Sequence, residues 1–401
     1  MHLSEQSLIW GSERSAIREL AEYGRKRKEE IGEDKVFDFS LGNPAAPLPE
    51  QINVQLMDLI GRIPGNILHG YTSSAGDRSV RLAIADYIRD RFDFTADPDL
   101  IYISTGSAAS LAMVFKALTG SPEDEFICFS PYFPEYEVFL KNAGAKLVLS
   151  PCLDGSFQPD PADLKNRISP NTRSLIINQP CNPTGVIFSE ENISAILRIL
   201  ETKEKEYGHP IYLISDEPYR DLSYNREPPY FPGLYKNTIV IYSYSKVLTL
   251  AGERIGYLSV SPKADFAQEV YRSIAGAGRG MGYVCAPSLF QYLIRDCQGL
   301  TSDLSFYKRN RDRLYKSLCA LGYEAVYPDG AFYLFVRSPL KDAQAFTDLA
   351  KKYELLLVPS DSFGCKGYVR ISYCVAAEVI EKSLPAFAAL ARDLGLRQEA
   401  E

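Results

Sequence analysis

The sequence predicts an α/β fold: a large domain on a mostly parallel central sheet, with a smaller α+β domain beside it. Three observations predict it. Short apolar runs alternate with helix-patterned stretches through the first part of the chain, the rhythm of a parallel sheet with crossover helices. Towards the C-terminus that rhythm gives way to a long charged helix, two separated strands and a closing helix. With 401 residues, 46% of them hydrophobic, the chain can bury a large core and divide into more than one domain.

In chain order, strands are expected over 100–104, 125–129, 146–149, 174–177, 211–214 and 238–242. Each is a short apolar run rich in Ile, Val, Leu, Phe or Tyr, as a buried strand requires. Helices are expected between several of them, over 110–118 and over 190–206, whose later half is charged. Farther on, 304–321 reads as a charged helix, 331–336 and 368–372 as strands, and 380–394 as the last helix. The expected division is a large domain over 46–290 and a small one that joins 1–45 to 291–401. In parallel sheets of this kind the ligand sits beyond the carboxyl ends of the strands.

Bulk properties exclude several classes. A net charge of −7 argues against a general nucleic-acid binder. The basic run Arg25-Lys26-Arg27-Lys28 is followed at once by Glu29-Glu30 and reads as a solvated helix face. No apolar stretch reaches the length of a membrane span. The start, Met1-His2-Leu3-Ser4-Glu5-Gln6, has neither the basic opening nor the apolar block of a secretory signal. The eight cysteines are scattered with no Cys-x-x-Cys, so neither a metal site nor a disulfide is expected, and a reducing cytoplasm fits best. His2, His69 and His209 stand apart and receive no catalytic role.

The most informative stretch is Ser243-Tyr244-Ser245-Lys246, with Arg254 following in Gly252-Glu253-Arg254-Ile255-Gly256. It places a lysine just past a buried strand, among hydroxyls and near an arginine. An ammonium is a poor nucleophile, so burial and nearby positive charge must lower its pKa before it can form an imine. The serines and Arg254 would hold a phosphate. An imine-forming lysine beside a phosphate cradle describes a pyridoxal phosphate site.

Other motifs follow other strands. Asp216, in Ser215-Asp216-Glu217-Pro218-Tyr219, would be a buried carboxylate in need of a cation, such as a pyridinium nitrogen; taken alone, it reads as a helix cap or turn residue. Asn182, in Asn178-Gln179-Pro180-Cys181-Asn182-Pro183-Thr184-Gly185, would donate to the ring oxygen, as would Tyr219, although these turn formers also suit a plain loop. Thr105-Gly106-Ser107-Ala108 opens a helix whose N–H groups suit an anion. Phe133, in Pro131-Tyr132-Phe133-Pro134, would stack on a ring or pack in the core. Arg370, between Val369 and Ile371, needs an anion if it points inward; a substrate carboxylate and a structural ion pair serve equally.

Taken in order, these segments resemble the class I/II aminotransferases, pyridoxal phosphate enzymes of fold type I, and most of all the bacterial enzymes called aspartate aminotransferases. The matching stretches run from Ser40-Leu41-Gly42-Asn43-Pro44 to Tyr368-Val369-Arg370-Ile371-Ser372. The resemblance implies that Lys246 carries the Schiff base and shuttles the proton, and that Asp216 and Tyr219 act with it in catalysis. It implies that Ser107, the Ala108 backbone, Ser243 and Arg254 hold the phosphate, with Phe133 on the ring face and Asn182 at the ring oxygen. Arg370, Asn182 and the Gly42 backbone would hold the α-carboxylate. Tyr71 resembles the tyrosine that reaches the phosphate of a neighbouring subunit, which implies a homodimer with shared active sites. Two features depart from the family: alanines at 108 and 109 where a polar residue is common, and no secure second arginine for a side-chain carboxylate. Arg279, in Gly278-Arg279-Gly280-Met281, is the candidate, in surroundings that also suit a mobile loop.

The activity expected is ping-pong transfer of an amino group from an L-amino acid, with aspartate the first expectation, to a 2-oxo acid such as 2-oxoglutarate. A β-lyase or racemase on the same scaffold is the alternative. A non-catalytic, cofactor-binding regulator is a third reading, opposed by the complete residue set for chemistry.

Overall fold

The apolar runs assemble into one seven-stranded sheet in a computed structural model that describes residues 3–12 and 16–396. In spatial order the strands are Ile101–Ser104, Gly256–Val260, Thr238–Ser243, Tyr212–Asp216, Thr172–Asn178, Glu125–Ser130 and Lys146–Pro151. All six expected strands are present. The seventh, Gly256–Val260, is an addition, and it runs antiparallel to both its neighbours while the remaining pairs are parallel. Its residues follow Arg254 so closely that the sequence presents them as part of the lysine–arginine loop. The sheet is therefore mostly parallel, as expected.

Period-two alternation feeds two cores. Phe126 and Cys128 face the helices Ser107–Leu118, Glu135–Ala143 and Ala267–Met281. Ile127 and Phe129 face Pro161–Arg167 and Glu190–Tyr207. Both faces are thus covered, which is why the strands read as continuous apolar runs. A further core joins Ile101, Ile103 and Tyr257 to the helices Arg78–Phe92 and Ser288–Asp296. The division expected at residue 290 falls inside that last helix.

The C-terminal strands form a separate antiparallel sheet, in the order Val358–Pro359, Tyr368–Ser372, Tyr333–Arg337 and Ala325–Val326. Helices Leu304–Ala320 and Ala377–Asp393 pack over its core. The N-terminal part of the chain joins this unit: Phe37–Asp38 pairs in parallel with Leu355–Leu356, and Leu20 of helix Ala16–Ile31 packs on Leu356, Val358 and Phe363. Among the described residues, no helix is long and apolar enough to cross a membrane, and no cluster of His, Cys, Asp and Glu suits a metal ion. His2 lies outside the described residues.

Six of the seven central strands run the same way, so their carboxyl ends share one edge. The expected motifs leave that edge together: Gly106 to Ala108, Phe133, Asn182, Tyr219 and Lys246 each follow a strand end there.

Candidate active site

A cavity of about 240 Å³ opens at this edge. The central sheet supplies Ser107, Phe133, Asn182, Asp216, Tyr219 and Lys246 to its walls; the smaller unit supplies Gly42 and Arg370. Eight of the predicted site residues are therefore brought together. Ala108 follows Ser107 in the first turn of helix Ser107–Leu118, and Ser243 and Arg254 lie just behind the cavity. Tyr71 does not line it and is 99% exposed. Arg279 does not line it either; it sits exposed on helix Ala267–Met281, and its glycine-rich surroundings are helical rather than a loop.

Lys246 belongs to the short helix Tyr244–Val247 at the end of strand Thr238–Ser243. Its Nζ donates to the Gly42 carbonyl at 2.7 Å. Burial lowers its pKa to about 8; the nearby Cys374 thiol opposes that shift, and Arg254 and Arg370 add to it. The Lys246 amine is thus free near neutral pH to an extent an exposed lysine is not.

Ser243 caps the short helix, its Oγ accepting from Ser245 N at 3.2 Å and donating to Ser245 Oγ at 2.9 Å. Arg254 is held by the Ala251 carbonyl at 2.9 Å and by Ser245 Oγ and the Thr105 carbonyl, each at 3.4 Å. Its guanidinium lies over Gly106, where a Cβ would meet Nη2 at 2.7 Å. Gly106 also has φ of +89°, so only glycine meets both demands. Arg254 and the N-terminus of helix Ser107–Leu118 therefore face one small volume, suited to a phosphate.

Asp216 ends strand Tyr212–Asp216 with its carboxylate buried. Oδ2 accepts from Tyr136 Oη at 2.5 Å and from Asn178 Nδ2 at 3.4 Å. Oδ1 has no partner among the described residues. Burial pushes the pKa up to about 7, against the pull of the Tyr136 hydrogen bond. A buried carboxyl with one unsatisfied oxygen, on a residue that lines the cavity, suits a cationic N–H.

Arg370 is buried on strand Tyr368–Ser372. Its guanidinium donates to Asn182 Oδ1 at 3.1 Å and to the Ser40 carbonyl at 2.6 Å, while Nε has no partner among the described residues. Because Asn182 accepts through Oδ1, its Nδ2 is left to donate elsewhere. Tyr219 Oη and Tyr333 Oη share a hydrogen bond of 2.8 Å.

Three residues without an expected role complete the site. Tyr136 follows Phe133 by one helical turn and reaches Asp216. Asn178 donates to the Asp216 carbonyl at 2.9 Å and accepts from Asn182 N at 2.8 Å, tying the two loops together. Tyr333 packs its ring 4.6 Å from the Arg370 guanidinium carbon. For Asn178, the sequence signal was its place at a strand end within the Asn182 motif; for Tyr333, an inward position in an expected strand carried no chemical hint.

Comparison with known proteins places this geometry in a family context. A family model for aminotransferase class I and II matches residues 34–387. The crystal structure of an amino transferase from Eubacterium rectale superposes with a TM-score of 0.95 at 47% identity, covering 98% of this chain and 99% of that one. Aspartate aminotransferase from Thermus thermophilus, solved with maleate, superposes with a TM-score of 0.83 at 25% identity, over 97% of this chain and 100% of that one. In sequence, a probable N-acetyl-LL-diaminopimelate aminotransferase of Bacillus subtilis is 29% identical, with 88% of each chain covered. A probable aspartate/prephenate aminotransferase of Thermus aquaticus is 31% identical over 79% of this chain and 82% of its own.

Proposed function

Since the chain belongs to the class I and II aminotransferases, we propose that it moves an amino group from an L-amino acid to a 2-oxo acid, with pyridoxal 5'-phosphate as cofactor. The single observation that carries this reading is the convergence of Lys246, Asp216 and Arg370 on one cavity. When bound, pyridoxal phosphate supplies an aldehyde for the amino group and a protonated ring that draws electrons from the substrate Cα. The residues fit it: the unpartnered Oδ1 of Asp216 supports a place for the ring N–H, and the glycine at 106 supports a phosphate under Arg254.

The side chains then divide the work. Asp216 holds the proton on the ring nitrogen, and Tyr136 and Asn178 hold Asp216. Asn182 Nδ2 and Tyr219 Oη donate to the ring oxygen, and Phe133 covers the ring face. Ser107, the Ala108 N–H, Ser243 and Arg254 hold the phosphate. Arg370, Asn182 and the Gly42 backbone fix the substrate carboxylate, which orients Cα. Lys246, neutral in a good part of the molecules near pH 8, takes the proton from Cα and returns it on the other side of the transfer. Exposed apolar side chains at Val54, Met57 and Ile60, together with Tyr71, support a homodimer in which Tyr71 reaches the partner's phosphate. Eight free thiols support a cytoplasmic setting.

The test is a panel of L-amino acids with 2-oxoglutarate or pyruvate, read by mass spectrometry of the new amino acid. Transfer predicts product from the acceptor in many turnovers. Release of ammonia and pyruvate without an acceptor would instead establish the lyase reading, and inversion at Cα alone the racemase reading.

A further inference from the structure

Tyr333 lines the cavity and opens strand Tyr333–Arg337 of the smaller unit. It stands opposite Ser372 on the neighbouring strand, while Arg370 stands opposite Phe335. Tyr333 and Arg370 are therefore diagonal neighbours on one face of that antiparallel pair, and the Tyr333 ring lies 4.6 Å from the guanidinium carbon. Its hydroxyl lies against Gly42, where a Cβ would run into the oxygen. Arg370 and Gly42 thus fix where that hydroxyl sits, and there it meets Tyr219 Oη, which comes from the central sheet, at 2.8 Å. Burial pushes the Tyr333 pKa up to about 12; Arg370 pulls it down, the Cys374 thiol pushes it up, and the hydrogen bond with Tyr219 pulls it down. Burial raises the Tyr219 pKa as well. Both phenols therefore keep their protons near neutral pH.

Each phenol has one proton to donate, and in this pair either hydroxyl can be the donor. Only one direction leaves a proton for the cavity. If Tyr219 donates to Tyr333, the Tyr219 proton is used within the pair. If Tyr333 donates to Tyr219, the Tyr219 proton is free for an acceptor in the cavity, and a hydroxyl that accepts one hydrogen bond donates the next more strongly. On the pyridoxal phosphate reading of this site, we propose that Tyr333 is a positioning residue: it donates to Tyr219 and so turns the Tyr219 proton onto the cofactor's ring oxygen.

The experiment compares the pyridoxal phosphate-loaded wild type with Tyr333→Phe, Tyr219→Phe and the double variant. Phenylalanine at 333 keeps a ring against Arg370 and removes only the hydroxyl. The first readout is the pH midpoint of the bound cofactor's visible absorbance. A donor on the ring oxygen draws negative charge away from the Lys246 nitrogen, which then holds its proton less well, so losing the donor raises the midpoint. Tyr333→Phe is expected to raise it by about half a unit or more, and to leave it unmoved in protein that already carries Tyr219→Phe. The second readout is equilibrium dialysis of the cofactor. Tyr333→Phe is expected to raise the dissociation constant of pyridoxal phosphate about threefold or more, and to leave unchanged that of 3-deoxypyridoxal 5'-phosphate, which lacks the ring oxygen. Equal shifts with and without the Tyr219 hydroxyl, or an equal loss of affinity for both cofactors, would overturn the proposal and reduce Tyr333 to packing. A Tyr333→Phe protein unchanged in both readouts would overturn it as well. Wild type that gains no visible absorbance from saturating pyridoxal phosphate would refute the cofactor reading itself, a result seen before any variant is compared.

Discussion

Asp216→Asn isolates the buried carboxyl group on which the proposed cofactor site depends. In the cofactor-free protein, burial pushes the Asp216 pKa up to about 7, against roughly 3.9 in an unfolded chain. The sign follows directly. The folded carboxyl keeps its proton where the unfolded one has lost it, so this group's contribution to stability is complete below about pH 4 and is lost as pH rises through about 7. An amide does not titrate. Between pH 5 and 7 the native protein therefore loses two pH units of stability that the variant keeps, about 3 kcal/mol as an order of magnitude. The amide also weakens the hydrogen bond from Tyr136, but that cost does not vary with pH and drops out of the comparison. The assay is urea unfolding of both cofactor-free proteins at pH 5 and pH 8. The stability gap is expected to widen by about 3 kcal/mol in favour of the variant. With pyridoxal phosphate bound the order should reverse, because the carboxylate then has a cationic partner and the amide does not. A gap that is the same at both pH values would refute the assignment of Asp216 as an unpaired buried acid.

Three further outcomes are expected. In the cofactor-free protein, trinitrobenzenesulfonate should modify Lys246 with a midpoint near pH 8, about two units below an ordinary lysine; the amine is protonated and protected below that pH and free above it, so a midpoint near 10 would remove the argument for an activated amine. Arg370→Met should lower kcat/KM for any amino donor by roughly a hundredfold or more, mostly through KM, because Asn182 and the Gly42 backbone alone replace a charge-assisted pair; a steady-state comparison checks it. Gly106→Ala should raise the dissociation constant of pyridoxal phosphate by about tenfold or more, since a Cβ there meets Arg254 at 2.7 Å and φ is +89°; equilibrium dialysis reads this directly.

Much of the site was legible because its residues sit where local sequence signals are strong. Lys246, Asp216, Asn182 and Phe133 all follow apolar runs of strand length, and the runs fix which edge of the sheet they reach. Arg370 announced itself as a charge inside an apolar strand. Strand Gly256–Val260 was hidden because it follows Arg254 without an intervening helix and pairs antiparallel, outside the alternating rhythm. Tyr136 and Tyr333 gave no sign because their value comes from contacts with residues 80 and 37 positions away, Asp216 and Arg370, and any buried tyrosine looks the same in sequence.

The central claim is that the amine of Lys246 is the point of attachment for the cofactor. Reduction of the pyridoxal phosphate-loaded protein with borohydride, then peptide mass mapping, tests it most directly. A pyridoxyl phosphate addition on the peptide containing Lys246, absent from Lys246→Ala, is the predicted result. An unmodified Lys246 peptide from saturated protein, or label on another lysine, would contradict it.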